Sequence, residues 1–149
     1  MTAIPTLFKE VFLLKPELHK DTRGSFLEAY KQEAFEQRIG RKIDFCQDNY
    51  TTSKKGVLRG LHYQLPPFSQ SKLVSVLRGT VLDVVVDIRK GSSTFGKHFS
   101  QELSAENQLQ LFVPRGFAHG YITLSEDSIF MYKVVNYYQP HSEGSIDTD

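Results

Sequence analysis

Apolar and polar positions alternate with a period of two over most of the chain, and that period belongs to β-strands. The clearest case runs from Val81 to Arg89. There Leu82, Val84, Val86 and Ile88 share one face, while Asp83, Val85 and Asp87 take the other. Similar patterns predict strands at Val57–His62, Lys72–Leu77, Lys97–Leu103, Leu109–Val113, Ala118–Leu124 and Ile129–Asn136, parted by short turns bearing Pro or Gly. Upstream, Leu7–Leu14 reads as an early strand ended by Pro16, Ser25–Tyr30 as a strand after the turn Asp21-Thr22-Arg23-Gly24, and Ile43–Thr52 as another. Lys31–Arg38 is rich in helix formers and is stopped by Gly40. Short strands with turn signals and no helices between them predict an all-β jelly-roll barrel with one short helix near residues 31–38, not βαβ units. With no internal repeat, low-complexity tract or linker, residues 1–149 read as a single domain.

Composition narrows the function classes. Lys+Arg 18 against Asp+Glu 17 leaves a net charge of +1, without the basic excess or basic run of a nucleic-acid or membrane surface. One cysteine, Cys46, excludes an internal disulfide and suits a reducing compartment; it is expected to be buried and inert. The opening residues lack a basic region followed by a long apolar run, and no apolar segment approaches the roughly 20 residues needed to span a bilayer. The expectation is a soluble cytoplasmic domain. Phe 11 and Tyr 7 without tryptophan fit a β-rich fold.

Two segments carry candidate chemistry. Gly56 precedes His62 in GVLRGLH, with Gly79 further on, and Pro114, Gly116 and His119 follow in PRGFAH. Together they resemble the paired motifs of a cupin barrel. Where a metal-binding cupin has its second histidine this chain has Gln64, and where the glutamate ligand would be it has Lys72. An ammonium offers a metal no lone pair and repels it. The same group suits an oxyanion in a partly dry cavity, where one well-placed donor contributes about 2.7–4 kcal/mol. The barrel is thus expected to hold no metal and no cofactor, and to work by acid–base chemistry. A metal-dependent oxygenase would be left with only His62 and His119 as ligands.

Further matches occur in order: Asp21-x-Arg23-Gly24-x-Phe26-x-Glu28, Gln47-Asp48-Asn49, Leu58-Arg59-Gly60-Leu61-His62, Lys72-Leu73-Val74, Arg78-Gly79, Val86-Asp87-Ile88-Arg89, Pro114-x-Gly116-Phe117-Ala118-His119-Gly120, and Tyr132-Lys133 with Tyr137-Tyr138. From Val11 to Ile146 the chain resembles the dTDP-4-dehydrorhamnose 3,5-epimerase family. The resemblance implies an isomerase of nucleotide-sugar (rhamnose-type) biosynthesis that inverts C3, C5 or both in a dTDP-4-keto-6-deoxy-hexose. The C–H bonds flanking the keto group are acidic, so inversion needs a base on one face, an acid on the other and a positive group at the carbonyl oxygen. By resemblance His62 is the base, Tyr132 the acid and Lys72 the enolate stabiliser. Arg59 and His119 lie near the diphosphate or sugar, Gln47 and Asn49 bind the nucleotide or its diphosphate, Tyr138 stacks on thymine, and Glu143 contacts substrate. Arg23, Phe26 and Glu28 reach into a neighbour's site, which implies a homodimer. The family also continues some thirty residues past the point where this sequence stops, with a carboxylate there that orients the catalytic histidine.

Other readings bear on single residues. Arg59 and His62 are three apart and would face opposite ways on a regular strand, so an irregularity is expected at Gly60. Asp83 and Asp87 are either a solvated pair or, for Asp83, an interior partner of Lys72 or His62. Asp48 alternates away from Gln47 and Asn49, and His19, His98 and His141 are expected at the surface. A keto-isomerase on the same scaffold and a non-catalytic nucleotide-sugar-binding module remain alternatives.

Overall fold

The structure is a computed structural model and describes residues 1–67, 69–137 and 139–146. The chain opens with β1 (Thr2–Ile4), β2 (Phe12–Lys15) and a hairpin of β3 (Leu18–Asp21) and β4 (Gly24–Leu27). Helix α1 (Gln32–Ile39) follows, then β5 (Gln47–Lys54), β6 (Leu58–Gln64), β7 (Lys72–Arg78), β8 (Thr80–Asp87), β9 (His98–Ser104), β10 (Gln110–Val113), β11 (Phe117–Thr123) and β12 (Asp127–Val134). A 3-10 turn at Pro140–Ser142 leads into β13 (Glu143–Ser145). Two antiparallel sheets result, one in the order β1-β2-β10-β7-β12-β5 and the other β13-β6-β11-β8-β9, with β3–β4 standing apart. This is the expected cupin-like arrangement.

The core lies between the sheets. Val74, Val76 and Phe130 from the first meet Val81, Val85, Leu103, Phe117 and Tyr121 from the second. Each such buried side chain contributes about 1.5–3 kcal/mol. The helix covers the outer face of the six-stranded sheet. Phe35 and Ile39, one turn apart, pack on Leu14, Leu73 and Phe112. Gly40 ends it in the left-handed region (φ 79°), its N–H bonding to Glu36 O at 2.9 Å.

Several expectations shift. The strand expected from Leu7 begins only at Phe12, because the Thr6 hydroxyl bonds Phe8 O and Val11 O and folds the preceding residues into a turn. β1, β3 and β13 escape the alternation pattern because they are only three or four residues long. The alternative left open for β8 is decided in favour of an interior Asp83. The strand's inward face is Val81, Asp83, Val85 and Asp87, all buried, whereas the more apolar face of Leu82, Val84 and Val86 is half-exposed. The interior accepts two carboxylates because each is paired there. Cys46 is exposed rather than buried. It precedes β5, whose alternation turns Gln47, Asn49, Thr51 and Ser53 inward and Asp48 and Tyr50 outward. His19, His98 and His141 are exposed as expected.

Candidate active site

The space between the sheets opens into two adjoining cavities of about 630 and 490 Å³. Four residues line both: His62, Lys72, His119 and Tyr132. They come from opposite walls. His62 on β6 and His119 on β11 are register partners in the five-stranded sheet. Lys72 on β7 and Tyr132 on β12 belong to the six-stranded sheet, on the inward face that carries Val74 and Phe130. A flat molecule held between them meets an imidazole on one side and an ammonium and a phenol on the other.

The break in β6 brings Arg59 to the same space. His119 pairs with His62 and Tyr121 with Arg59, so two steps along β11 match three along β6. That bulge falls at Gly60, where it was expected. Gly60 has φ 110°, and a Cβ there would lie 2.7 Å from Gly120 Cα and from His119 O. Only glycine fits. Arg59 is thereby placed in the wall of the second cavity, donating from Nε to Ser53 Oγ (2.8 Å) and from Nη2 to Thr52 O (3.0 Å).

Charge in the site is ordered by burial. Asp83 is fully buried and accepts from His119 Nε2 at 2.7 and 2.9 Å. Its partner is therefore His119 and not His62. Burial pushes the Asp83 carboxyl up, opposed by His119 and then by Lys72. Burial also pulls the Lys72 ammonium down, against the attraction of Asp83 and Glu143. The Lys72 Nζ lies 5.5 Å from the centre of the Tyr132 ring, within cation–π reach. Burial raises the Tyr132 phenol above its ordinary range, opposed by a hydrogen bond with Asn49. Asn49 in turn accepts from Gln47 Nε2 at 2.9 Å. Glu143 Oε1 stands 3.4 Å from His62 Nδ1, the one carboxylate that the described residues bring within ion-pair distance of that ring.

The remaining expected residues divide. Glu143 lines the larger cavity, and Gln47 and Asn49 are on the inward face of β5. Arg23, Phe26 and Glu28 belong to the β3–β4 hairpin and its exit, exposed and outside both cavities, with Arg23 paired to Asp21 at 2.6 Å. Tyr138 lies outside the described residues. Gln64, in the place of a cupin's second histidine, accepts from Gln139 N at 3.1 Å and so helps hold the segment that presents Glu143.

One supporting device was missed. Asp87 accepts from Arg89 N, Nε and Nη2, Ser92 Oγ and Thr94 Oγ1, which pins the loop bearing Ile88, Lys90 and Phe95 to the rim of the larger cavity. Those donors hold its carboxyl far below the usual range. The signal in the sequence is the short-range pattern Asp87-x-Arg89-x-x-Ser92-x-Thr94.

Residues 5–149 match the family described as dTDP-4-dehydrorhamnose 3,5-epimerase. The curated dTDP-4-dehydrorhamnose 3,5-epimerase of Salmonella typhimurium is 54% identical over 146 residues, covering 98% of this chain and 80% of the relative. The crystal structure of dTDP-4-dehydrorhamnose 3,5-epimerase from Elizabethkingia anophelis superposes with a TM-score of 0.94 at 49% identity, over 99% of this chain and 81% of that one. The dTDP-6-deoxy-D-glucose-3,5-epimerase of Legionella pneumophila, solved in complex with dTDP-4-keto-L-rhamnose, superposes with a TM-score of 0.96 at 47% identity, over 99% of this chain and 78% of that one.

Proposed function

The chain belongs to the dTDP-4-dehydrorhamnose 3,5-epimerase family, and from this premise we propose that its cavity inverts C3 and C5 of a dTDP-4-keto-6-deoxy-hexose through an enolate. The observation that carries this reading is the placement of His62 on one wall and of Lys72 and Tyr132 on the other. A neutral imidazole nitrogen of His62 removes the proton beside the keto group. The C–H electron pair moves into the ring, and negative charge collects on the carbonyl oxygen. Lys72 stabilises that oxyanion, and burial makes its charge more effective than it would be in water. Tyr132 then returns a proton to the opposite face of the same carbon. Because burial raises its phenol, Tyr132 enters each cycle protonated at neutral pH. Imidazolium and phenolate reset by exchange with water.

Only protons move, so the reaction calls for no redox cofactor and no metal. The donor set agrees with this, since His119 Nε2 is taken by Asp83 and an ammonium stands where an anionic ligand would be needed. In this reading Arg59 forks onto the diphosphate. Gln47 and Asn49 hydrogen-bond the nucleotide or its diphosphate, Tyr138 stacks on thymine, and His119, fixed by Asp83, and Glu143 face the sugar. The exposed hairpin supports a homodimer in which Arg23, Phe26 and Glu28 complete the neighbour's site. No helix among the described residues is long and apolar enough to cross a membrane, and the near-balanced charge agrees with a cytoplasmic enzyme whose partner is the nucleotide sugar.

The test is NMR of dTDP-4-keto-6-deoxyglucose with the protein in D2O. Deuterium should enter C3 and C5 with inversion, and His62→Ala should abolish its entry. Binding of dTDP without deuterium uptake would instead support a non-catalytic binding module. Carbonyl migration to C3 without exchange at C5 would support the keto-isomerase.

A further inference from the structure

We propose that Asn49 is a positioning residue for Tyr132, turning the phenol's proton toward the substrate and holding the phenolate left behind. The role rests on the proposed function and goes beyond contact with the nucleotide or its diphosphate. A phenol has one proton to give and also accepts on its oxygen. Asn49 faces Tyr132 in the β5–β12 ladder and hydrogen-bonds it. Gln47 Nε2 donates to Asn49 Oδ1 at 2.9 Å, which leaves the Asn49 N–H groups to donate to Tyr132. That bond lowers the phenol's pKa against burial, as a donor does. With one side of the oxygen taken by a donor, the Tyr132 proton points away from Asn49, into the space that Tyr132 lines. When the enolate's electron pair forms the new C–H bond with that proton, the O–H pair stays on oxygen. The bond from Asn49 then becomes charge-assisted and stronger, and its second N–H remains for the substrate.

The strand β5 is held for this placement. It stands at the edge of its sheet with β12 as its neighbour, and a slip of one residue would turn Gln47 and Asn49 out of the cavity. The outer face opposes such a slip. Lys133 Nζ donates to Asp48 Oδ1 at 2.9 Å, straight across the ladder, and lies 4.8 Å from the centre of the Tyr30 ring. Cys46 N bonds Val134 O at 2.8 Å and carries the pairing past Gln47. Arg59 favours the ionised phenol by charge, and Tyr121 and Glu143 oppose it. Among the described residues that act on the phenol, Asn49 alone does so by hydrogen bond.

The experiment follows deuterium and configuration at initial rates in wild type, Asn49→Leu and Gln47→Leu, with saturating dTDP-4-keto-6-deoxyglucose in D2O. His62 can exchange a proton on its own face, so deuterated sugar of retained configuration reports the base and inverted sugar reports Tyr132. The ratio of inverted to retained sugar should fall roughly ten- to hundredfold in Asn49→Leu. It should fall less in Gln47→Leu, which only frees the Asn49 amide to turn. In the ligand-free protein the 13Cζ resonance of Tyr132, assigned with Tyr132→Phe, should show ionisation beginning at higher pH in Asn49→Leu than in wild type. Should Asn49→Leu not fold, the same two readouts in Gln47→Leu decide. An unmoved onset of ionisation overturns the proposal. So does a proportional loss of exchange and inversion with a raised KM, the mark of a plain substrate contact. If wild type exchanges no substrate proton at all, the proposed function fails, while the 13Cζ titration still decides whether Asn49 donates to Tyr132.

Discussion

Asp83 is fully buried, and two groups answer its carboxyl: His119 by hydrogen bond and Lys72 by attraction through the cavity wall. Burial acts on Lys72 in the opposite sense, pulling its pKa down while Asp83 and then Glu143 pull it up. In the proposed mechanism Lys72 must be charged to stabilise the oxyanion, so activity should fall as pH rises through its pKa. Asp83→Asn removes one supporting charge and lowers that pKa further, which moves the alkaline limb of the pH–rate profile to lower pH. At mildly alkaline pH the exchange rate should drop roughly ten- to hundredfold. A profile with an unmoved alkaline limb would show that Lys72 does not depend on Asp83. At this scale the sequence is informative where a side chain's chemistry is unusual for its position. Lys72 in place of a glutamate is legible in that way, whereas His62 and Tyr132 stand out only through the family resemblance. The partner of Asp83 is not legible, because Asp83 and His119 sit diagonally across two paired strands and no spacing along the chain encodes that contact.

Among the elements, β6 does most to shape the site. Its bulge lets Arg59 and His62 line one cavity, and the need for it follows from their spacing once the resemblance sets both beside one substrate. Gly60→Ala should fail in a specific way. The new Cβ would meet the backbone of Gly120 and His119 at 2.7 Å, at a φ of 110° that side chains avoid. Backbone cannot step aside as a flexible side chain would, so the variant should lose about 3 kcal/mol of stability in urea unfolding. The exchange rate should fall with it, as the His62–His119 register is disturbed. Wild-type stability in this variant would contradict the account of the bulge. The strand β8 teaches the converse. Its alternation predicts a strand correctly but leaves the inner face open, because Asp83 and Asp87 are buried with partners that lie elsewhere in the chain or in the next loop. Periodicity tells which residues share a face; the side-chain partners decide which face is inside.

For the molecule as a whole, the barrel gathers the proposed reacting groups while the β3–β4 hairpin and its exit carry three expected binding residues away from it. Phe26 is 66% exposed on that hairpin, which suits a surface that another copy covers. If each site combines one copy's barrel with the other's hairpin, two defective variants should complement. Arg23→Ala and His62→Ala, each weak alone, should regain about a quarter of wild-type activity when mixed and allowed to exchange subunits, since half the dimers are mixed and each has one intact site. Activity that stays at the sum of the two variants would place the hairpin outside the neighbour's site. The hairpin turn at Gly24 is legible in the sequence. Its detachment from both sheets is a matter of tertiary pairing that composition and alternation do not record.

The central claim is that inversion arises from two groups on facing sheets, His62 removing the proton and Tyr132 returning it from across the cavity. The most direct measurement follows deuterium and configuration together in Tyr132→Phe, with dTDP-4-keto-6-deoxyglucose in D2O. The account predicts that deuterium still enters beside the keto group, because His62 can remove and return a proton on its own face, while inversion falls by about a hundredfold or more. Inversion at the wild-type rate in Tyr132→Phe would contradict it.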